Sequence, residues 1–175
     1  MTTIIAETGC THEGDFGKLR GLVQMAAECG CDGVKTQYCS EPEELARRRH
    51  APEYLPHYQY LRFPLAWHEQ LAKQCHDIGM QYSTTCYIPD DVEAVAQFCD
   101  FFKVAAFEAG ADDLLAEYMR AMDGNEKHLV VSLGLGATRD DVAMTLTTHL
   151  HRAVFLRCVS AYPTPFNDLN LATLR

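Results

Sequence analysis

Six short β-prone runs, each followed by a stretch of helical period, constrain this chain more than any other feature. The runs are "TTIIAETG", "DGVKTQYC", "GMQYSTTC", "FFKVAAFE", "HLVVSLGL" and "AVFLRCVS". They are nearly continuous in apolar and β-branched residues, the pattern of parallel strands buried on both faces. Between them the period changes. Phe16, Leu19, Leu22, Val23, Ala26 and Ala27 share one helical face over 16–29. Trp67, Leu71, Cys75 and Ile78 do so over 64–78, and Leu114, Leu115, Tyr118, Met119 and Met122 over 111–122. Thr138 with Asp141 reads as a capping box opening a helix over 139–150. Strand–helix repetition of this kind builds βα units with right-handed crossovers. Six units fit either a doubly wound sheet or part of a (β/α)8 barrel. One stretch breaks the rhythm: 40–64 is polar, aromatic and long, and reads as an extended loop that is functional, disordered or simply solvated.

In both architectures sites form at the carboxyl ends of strands, and here the polar residues gather there. They are Glu7, Lys35 with Gln37, Ser83 with Thr84, Lys103 with Glu108, Ser132, and Ser160 with Tyr162. Lys35 and Lys103 lie inside strand-like runs. A buried ammonium is costly unless something pairs with it. Two lysines plus hydroxyls suit a phosphate or carboxylate ligand. Glu7 and Glu108 suit general acid or base work, or else they pair the lysines internally with no ligand at all. "SLGLGATRDD" holds G-x-G but not G-x-G-x-x-G, so a dinucleotide site is the poorer reading. No G-x-S-x-G nucleophile elbow occurs.

Charge narrows the partners. A formal net charge of −9 argues against nucleic acid and against an anionic membrane surface. No apolar run approaches the ~20 residues of a membrane span, and "MTTIIAETG" has no basic region ahead of an apolar one. A cytoplasmic location is therefore expected, with the eight cysteines as reduced thiols. "ECGCD" is C-x-C, and the neighbours Cys10–His12 and Cys75–His76 have no second pair at zinc-finger spacing. A Cys/His metal cluster is thus a weak reading of the chain's own residues.

The ordered segments "IIAETGCTHEGD", "CGCDGVKTQ", "GMQYSTT", "FFKVAAFE", "VVSLGL" and "CVSAYPTPFNDLNL" resemble the N-acetylneuraminate (sialic acid) synthase family across nearly all 175 residues. The first and last are the specific ones. The resemblance implies a (β/α)8 TIM-barrel fold, often followed by an antifreeze-like domain that 1–175 does not include. It implies condensation of phosphoenolpyruvate with an N-acylated hexose such as N-acetylmannosamine, releasing phosphate. Lys35, Lys103 and Ser132 match positions that bind phosphoenolpyruvate. Glu108 matches an acid acting at the enol carbon, and Glu7 a second active-site glutamate. Gln37, Thr84, Ser160 and Tyr162 match positions near the sugar. His12 matches the histidine of the first motif. A divalent metal, Mn or Mg, is implied as the Lewis acid on the aldehyde.

The chain departs from the family pattern in places. Thr11 stands where asparagine is usual, Ala106 removes an expected hydroxyl, and Arg157 stands where histidine is common. The family's metal-binding histidines belong to the seventh and eighth strands, beyond "NLATLR". A full barrel takes about 250 residues, so residues 1–175 are expected to form one partial synthase domain of about six βα units. An open barrel exposes sheet edges, which implies completion by another chain, by a further copy, or by sequence beyond this piece. The alternatives are a synthase for a different sugar and a non-catalytic remnant.

Overall fold

A computed structural model describes residues 2–134, 137–161 and 163–173. The chain forms two compact units, Met1–Phe102 and Lys103–Arg175.

In the first unit, three parallel strands alternate with helices. Strand β1 (Ile5–Gly9) leads to helix α1 (Phe16–Glu28), then β2 (Gly33–Tyr38), then three helices, and then β3 (Gln81–Cys86). Helix α5 (Pro89–Ala96) follows. Strand β2 lies between its two partners, with Glu7 opposite Lys35 and Lys35 opposite Ser83. Gly33 fits against Gln81 so closely that an added Cβ would lie 3.1 Å from the Gln81 carbonyl oxygen. Asp15 caps α1 by accepting the Lys18 N–H at 2.9 Å. The core joins Leu19, Val23 and Ala26 of α1 to Val34 and Tyr82 of the strands. Leu71, Ala72 and Cys75 complete it from helix α4 (Leu65–Asp77). The apolar periodicity over 16–29 and 64–77 therefore marks real buried faces, but Ile78, read onto the same face, is the C-cap of α4 and is 41% exposed, because the helix ends before its side chain can join the stripe.

Residues 40–64 are not a structureless loop. They fold into helix α2 (Pro42–Arg48), the single turn α3 (Leu55–Tyr58) and two 3₁₀ turns. Arg49 lies over the rings of Tyr58 and Tyr87, 5.6 and 4.8 Å from their centroids. Short helices and turns satisfy the backbone here, and ring contacts order the side chains that a polar composition suggested would be solvated.

The second unit holds helix α6 (Asp112–Met122), strand β5 (Leu129–Leu133), helix α7 (Arg139–Leu146) and strand β6 (Ala153–Arg157). Strands β5 and β6 run parallel, with Ser132 opposite Leu156. The Thr138–Asp141 capping box is present in both directions. Helix α7 ends at Leu146, and a 3₁₀ turn takes over through Arg152. The run 101–108 is a strand only over Phe102–Val104, labelled β4. Beyond it the chain turns, with Glu108 N–H on the Ala105 carbonyl and Ala111 N–H on the Glu108 carbonyl, both at 3.0 Å. Among the described residues no helix is long and apolar enough to cross a membrane. All eight cysteines are free thiols.

Candidate active site

Lys35 sits in the middle of β2, where flanking strands supply its partners. Its ammonium donates to Thr85 Oγ1 at 2.9 Å and is ion-paired with the Glu7 carboxylate. The side chains are 10% and 43% exposed, so the lysine is held inside while its acidic partner meets solvent. Glu7 also accepts the Gly9 N–H at 2.9 Å. Pleating explains the grouping. Glu7, Lys35 and Ser83 are register partners, and Thr85, two residues past Ser83, shares their face.

Thr84 falls on the other face. Its hydroxyl pairs with Thr36 Oγ1 at 2.9 Å. Thr36 is 3.0 Å from the Tyr82 hydroxyl, which is 2.8 Å from His68 Nδ1 on α4. All four are at most 1% exposed. This buried chain ties both strands to the helix layer. Ser83 spends its hydroxyl on the Phe101 carbonyl at 2.6 Å. The structure thus puts Thr85, not Thr84, beside Lys35. The signal that finds Thr85 is the two-residue period counted from Ser83. Nothing in the sequence marks His68 as the partner of Tyr82.

Gln37 is half-buried and shares the Lys35 face. His12 is fully buried in the turn after β1. Its Nδ1 accepts the Gly14 N–H at 3.1 Å, and burial lowers its pKa, so the ring is neutral at physiological pH.

In the second unit Lys103 donates to Ser132 Oγ at 2.8 Å and to the Val104 carbonyl at 2.6 Å. The Tyr118 hydroxyl donates to the Lys103 carbonyl at 3.0 Å, fixing the strand from the helix side. Glu108 is 6% exposed, in the turn after β4. Ser160 lines an open cavity of about 540 Å³ with Gly134, Arg157, Asn167, Asp168 and Asn170. Tyr162 lies outside the described residues. Each unit therefore carries one lysine held by a hydroxyl from another strand: Thr85 for Lys35, Ser132 for Lys103.

Among the described residues no group of three or more His, Cys, Asp or Glu side chains is arranged to hold a metal ion. These residues do not fit the divalent ion that the resemblance implies.

Comparison with known proteins gives one consistent answer. The model of the NeuB family matches residues 22–175. Pseudaminic acid synthase of Campylobacter jejuni subsp. jejuni (strain 81-176) is 24% identical over 96% of this chain and 52% of its own length. N-acetylneuraminate-9-phosphate synthase of Homo sapiens is 25% identical over 98% of this chain and 50% of its own. The chain spans about half the length of the curated relatives it matches. A crystal structure of N-acetylneuraminic acid synthetase from Leptospira borgpetersenii superposes with a TM-score of 0.81. It is 18% identical, and the match covers 97% of this chain and 58% of that one. At that identity the likeness carries the fold alone. The fold is α/β of the (β/α)8-barrel type with six strands present, and the doubly wound alternative is set aside.

Proposed function

The chain belongs to the NeuB family, and from that premise we propose that the protein condenses phosphoenolpyruvate with an N-acylated amino sugar. One water is consumed: C3 of phosphoenolpyruvate bonds to the aldehyde carbon, water adds at C2, and the phosphate leaves, giving a nonulosonic acid and inorganic phosphate. The observation that carries this reading is the Lys35 cluster: an ammonium held inside the strand layer by Thr85, with an exchangeable carboxylate, Glu7, at its solvent side. Such a group binds a small anion in a partly dry setting, where a charge-assisted hydrogen bond is strong. Lys35, and independently Lys103 with Ser132, are assigned to phosphoenolpyruvate. Glu7 and Glu108 are assigned to proton transfer at the enol carbon, and Gln37 and Ser160 to the sugar. Thr84 and His12 act from behind the site, through the strands and turn that carry it.

Relatives named for two different sugars match about equally, at 24% and 25% identity, so the acceptor is proposed only as a class. On the same reading residues 1–175 are one partial synthase domain. The protein works in the cytoplasm as an assembly of copies or with another chain.

The test is phosphate release from phosphoenolpyruvate by the full-length protein, with manganese or magnesium. N-acetylmannosamine, its 6-phosphate and a diacetamido hexose are the trial acceptors. Lys35→Met and Lys103→Met are each expected to lower kcat/KM by about 10²-fold or more, the loss typical of one preorganised charge-assisted contact. Wild-type turnover unchanged in both variants would refute the assignment.

A further inference from the structure

Strand β1 does not end regularly. Ile5, Ala6 and Glu7 pair in turn with Gly33, Val34 and Lys35, but Gly9 then pairs with Thr36, so β1 carries one residue more than its partner. This is a β-bulge, a device that re-aims a side chain or ends pairing, and it lies directly beside the Lys35 cluster. The extra residue is held down. The Thr8 hydroxyl donates to the Lys35 carbonyl at 3.4 Å, and the Thr8 carbonyl accepts the Thr11 hydroxyl at 2.7 Å. The bulge is therefore part of a bonded turn and not a frayed strand end.

Its consequence falls on Glu7. Along a regular strand the N–H groups lie in the plane of the sheet while side chains stand off it, so a carboxylate does not meet the amide two residues further on. Gly9 has φ +54°, a left-handed conformation that glycine adopts without steric cost. Its N–H donates to Glu7 Oε1 at 2.9 Å, while Glu7 Oε2 is the oxygen paired with Lys35. The two oxygens of one carboxylate thus have two holders, one backbone and one side chain. Nothing lies within 4 Å of a Cβ built on Gly9, so it is the conformation, and not packing, that calls for glycine there.

We propose that Gly9 is a positioning residue of this site: its N–H keeps the Glu7 carboxylate over the cluster after an anion has taken Glu7's place on Lys35. The inference rests on the condensation reading above. A carboxylate that is 43% exposed would otherwise be free to swing into solvent once its lysine was taken. With Oε1 held by the backbone, only Oε2 is released, and it stays beside the bound ligand. Lys35 and Thr85 then bind the anion, and the bulge orients the acid. Affinity for phosphoenolpyruvate and turnover should therefore separate.

Three variants of the full-length protein test this. Gly9→Ala disfavours the left-handed backbone without a clash, Gly9→Asn supplies a residue that tolerates it, and Glu7→Ala removes the carboxylate. Gly9→Ala should lower kcat for phosphate release roughly tenfold, the worth of one hydrogen bond to a charged group, and leave the KM for phosphoenolpyruvate unchanged. Gly9→Asn should recover most of that loss, which a role in packing would not predict. Urea unfolding reads the same contact without turnover: Gly9→Ala and Glu7→Ala together should lower the midpoint by less than the sum of their separate losses. Additive midpoint losses, a Gly9→Ala enzyme with wild-type kcat, or one that raises the phosphoenolpyruvate KM instead of lowering kcat, would overturn the proposal. Non-additive midpoints in a wild type that releases no phosphate with any acceptor would sustain the hold of Gly9 on Glu7 and remove only the condensation reading.

Discussion

His68 should make the protein sensitive to mild acid in a calculable way. The ring is fully buried, with its Nδ1 on the Tyr82 hydroxyl and its faces and edges against Tyr38, Phe63 and Phe98. Burial disfavours the imidazolium and lowers the pKa from 6.5 to about 3. Above pH 6.5 the ring is neutral whether the chain is folded or not, and the shift has no effect. Between pH 6.5 and 3 the unfolded chain binds a proton that the folded one refuses. Stability therefore falls with pH by about 1.4 kcal/mol per unit. At pH 5.5 the loss is about 1.4 kcal/mol, and at pH 4.5 about 2.7 kcal/mol. His12 shifts in the same direction, and carboxylates titrate too. The useful quantity is thus the difference from His68→Gln, which keeps a hydrogen-bonding group for Tyr82 but cannot titrate. Urea unfolding followed by circular dichroism at pH 7, 5.5 and 4.5 measures it. At pH 7 the variant should be the less stable. As pH falls the difference should shift in the variant's favour by about 2–3 kcal/mol. Parallel curves would mean that His68 reaches water in the folded state, and the reasoning from burial would fail.

Tyr82→Phe removes the hydroxyl between Thr36 and His68, and should cost about 1–3 kcal/mol because it strands buried polar groups. Combined with His68→Gln it should show a coupling energy of at least about 0.5 kcal/mol in a double-mutant cycle, and strict additivity would argue against a connected chain. Gly134→Ala places a Cβ 2.8 Å from the Cys158 carbonyl oxygen and should destabilise by about 1–3 kcal/mol in a chemical unfolding titration. Gly21→Ala, inside α1 with nothing within 4 Å of the new methyl, should instead stabilise by up to about 1 kcal/mol.

Where the sequence is informative, one physical constraint acts alone. Apolar period decides whether a segment buries one stripe or two faces, so the helices near 16–28, 65–77 and 112–122 could be read directly. Local capping chemistry likewise exposed Thr138 and Asp141. Where two constraints compete, reading fails. "FFKVAAFE" is mostly apolar, but its second half is a turn that buries Ala106 and Glu108 and exposes Phe107, and hydrophobicity alone does not separate a strand from such a turn. Helix α5 has no apolar stripe long enough to announce it, although Pro89 at its first turn, followed by Asp90 and Asp91, is a start pattern. Its eight residues are too few for periodicity to stand out. In 40–64, polar composition suggested solvation, while the order comes from Arg49 between two tyrosines and from Phe63 in an aromatic cluster. Those contacts join residues that sequence distance does not associate.

The same distinction bears on the two lysines. Sequence showed that Lys35 and Lys103 were buried, which raised the question of the anion each one meets. For Lys35 there is already a carboxylate, and the internal Glu7 pair competes with a ligand as the explanation. Exposure separates the two readings. A pair locked inside would serve only structure, because losing either partner would strand a buried charge. Here Glu7 is 43% exposed and Lys35 10%. The carboxylate, reaching solvent, can trade its lysine for water once another anion takes its place on the ammonium. The ammonium has no such option, and Thr85 alone does not satisfy its three donors. An incoming anion would then replace a solvent-reaching partner on a firmly held lysine. That asymmetry is what a binding site requires and what a purely structural ion pair has no reason to build.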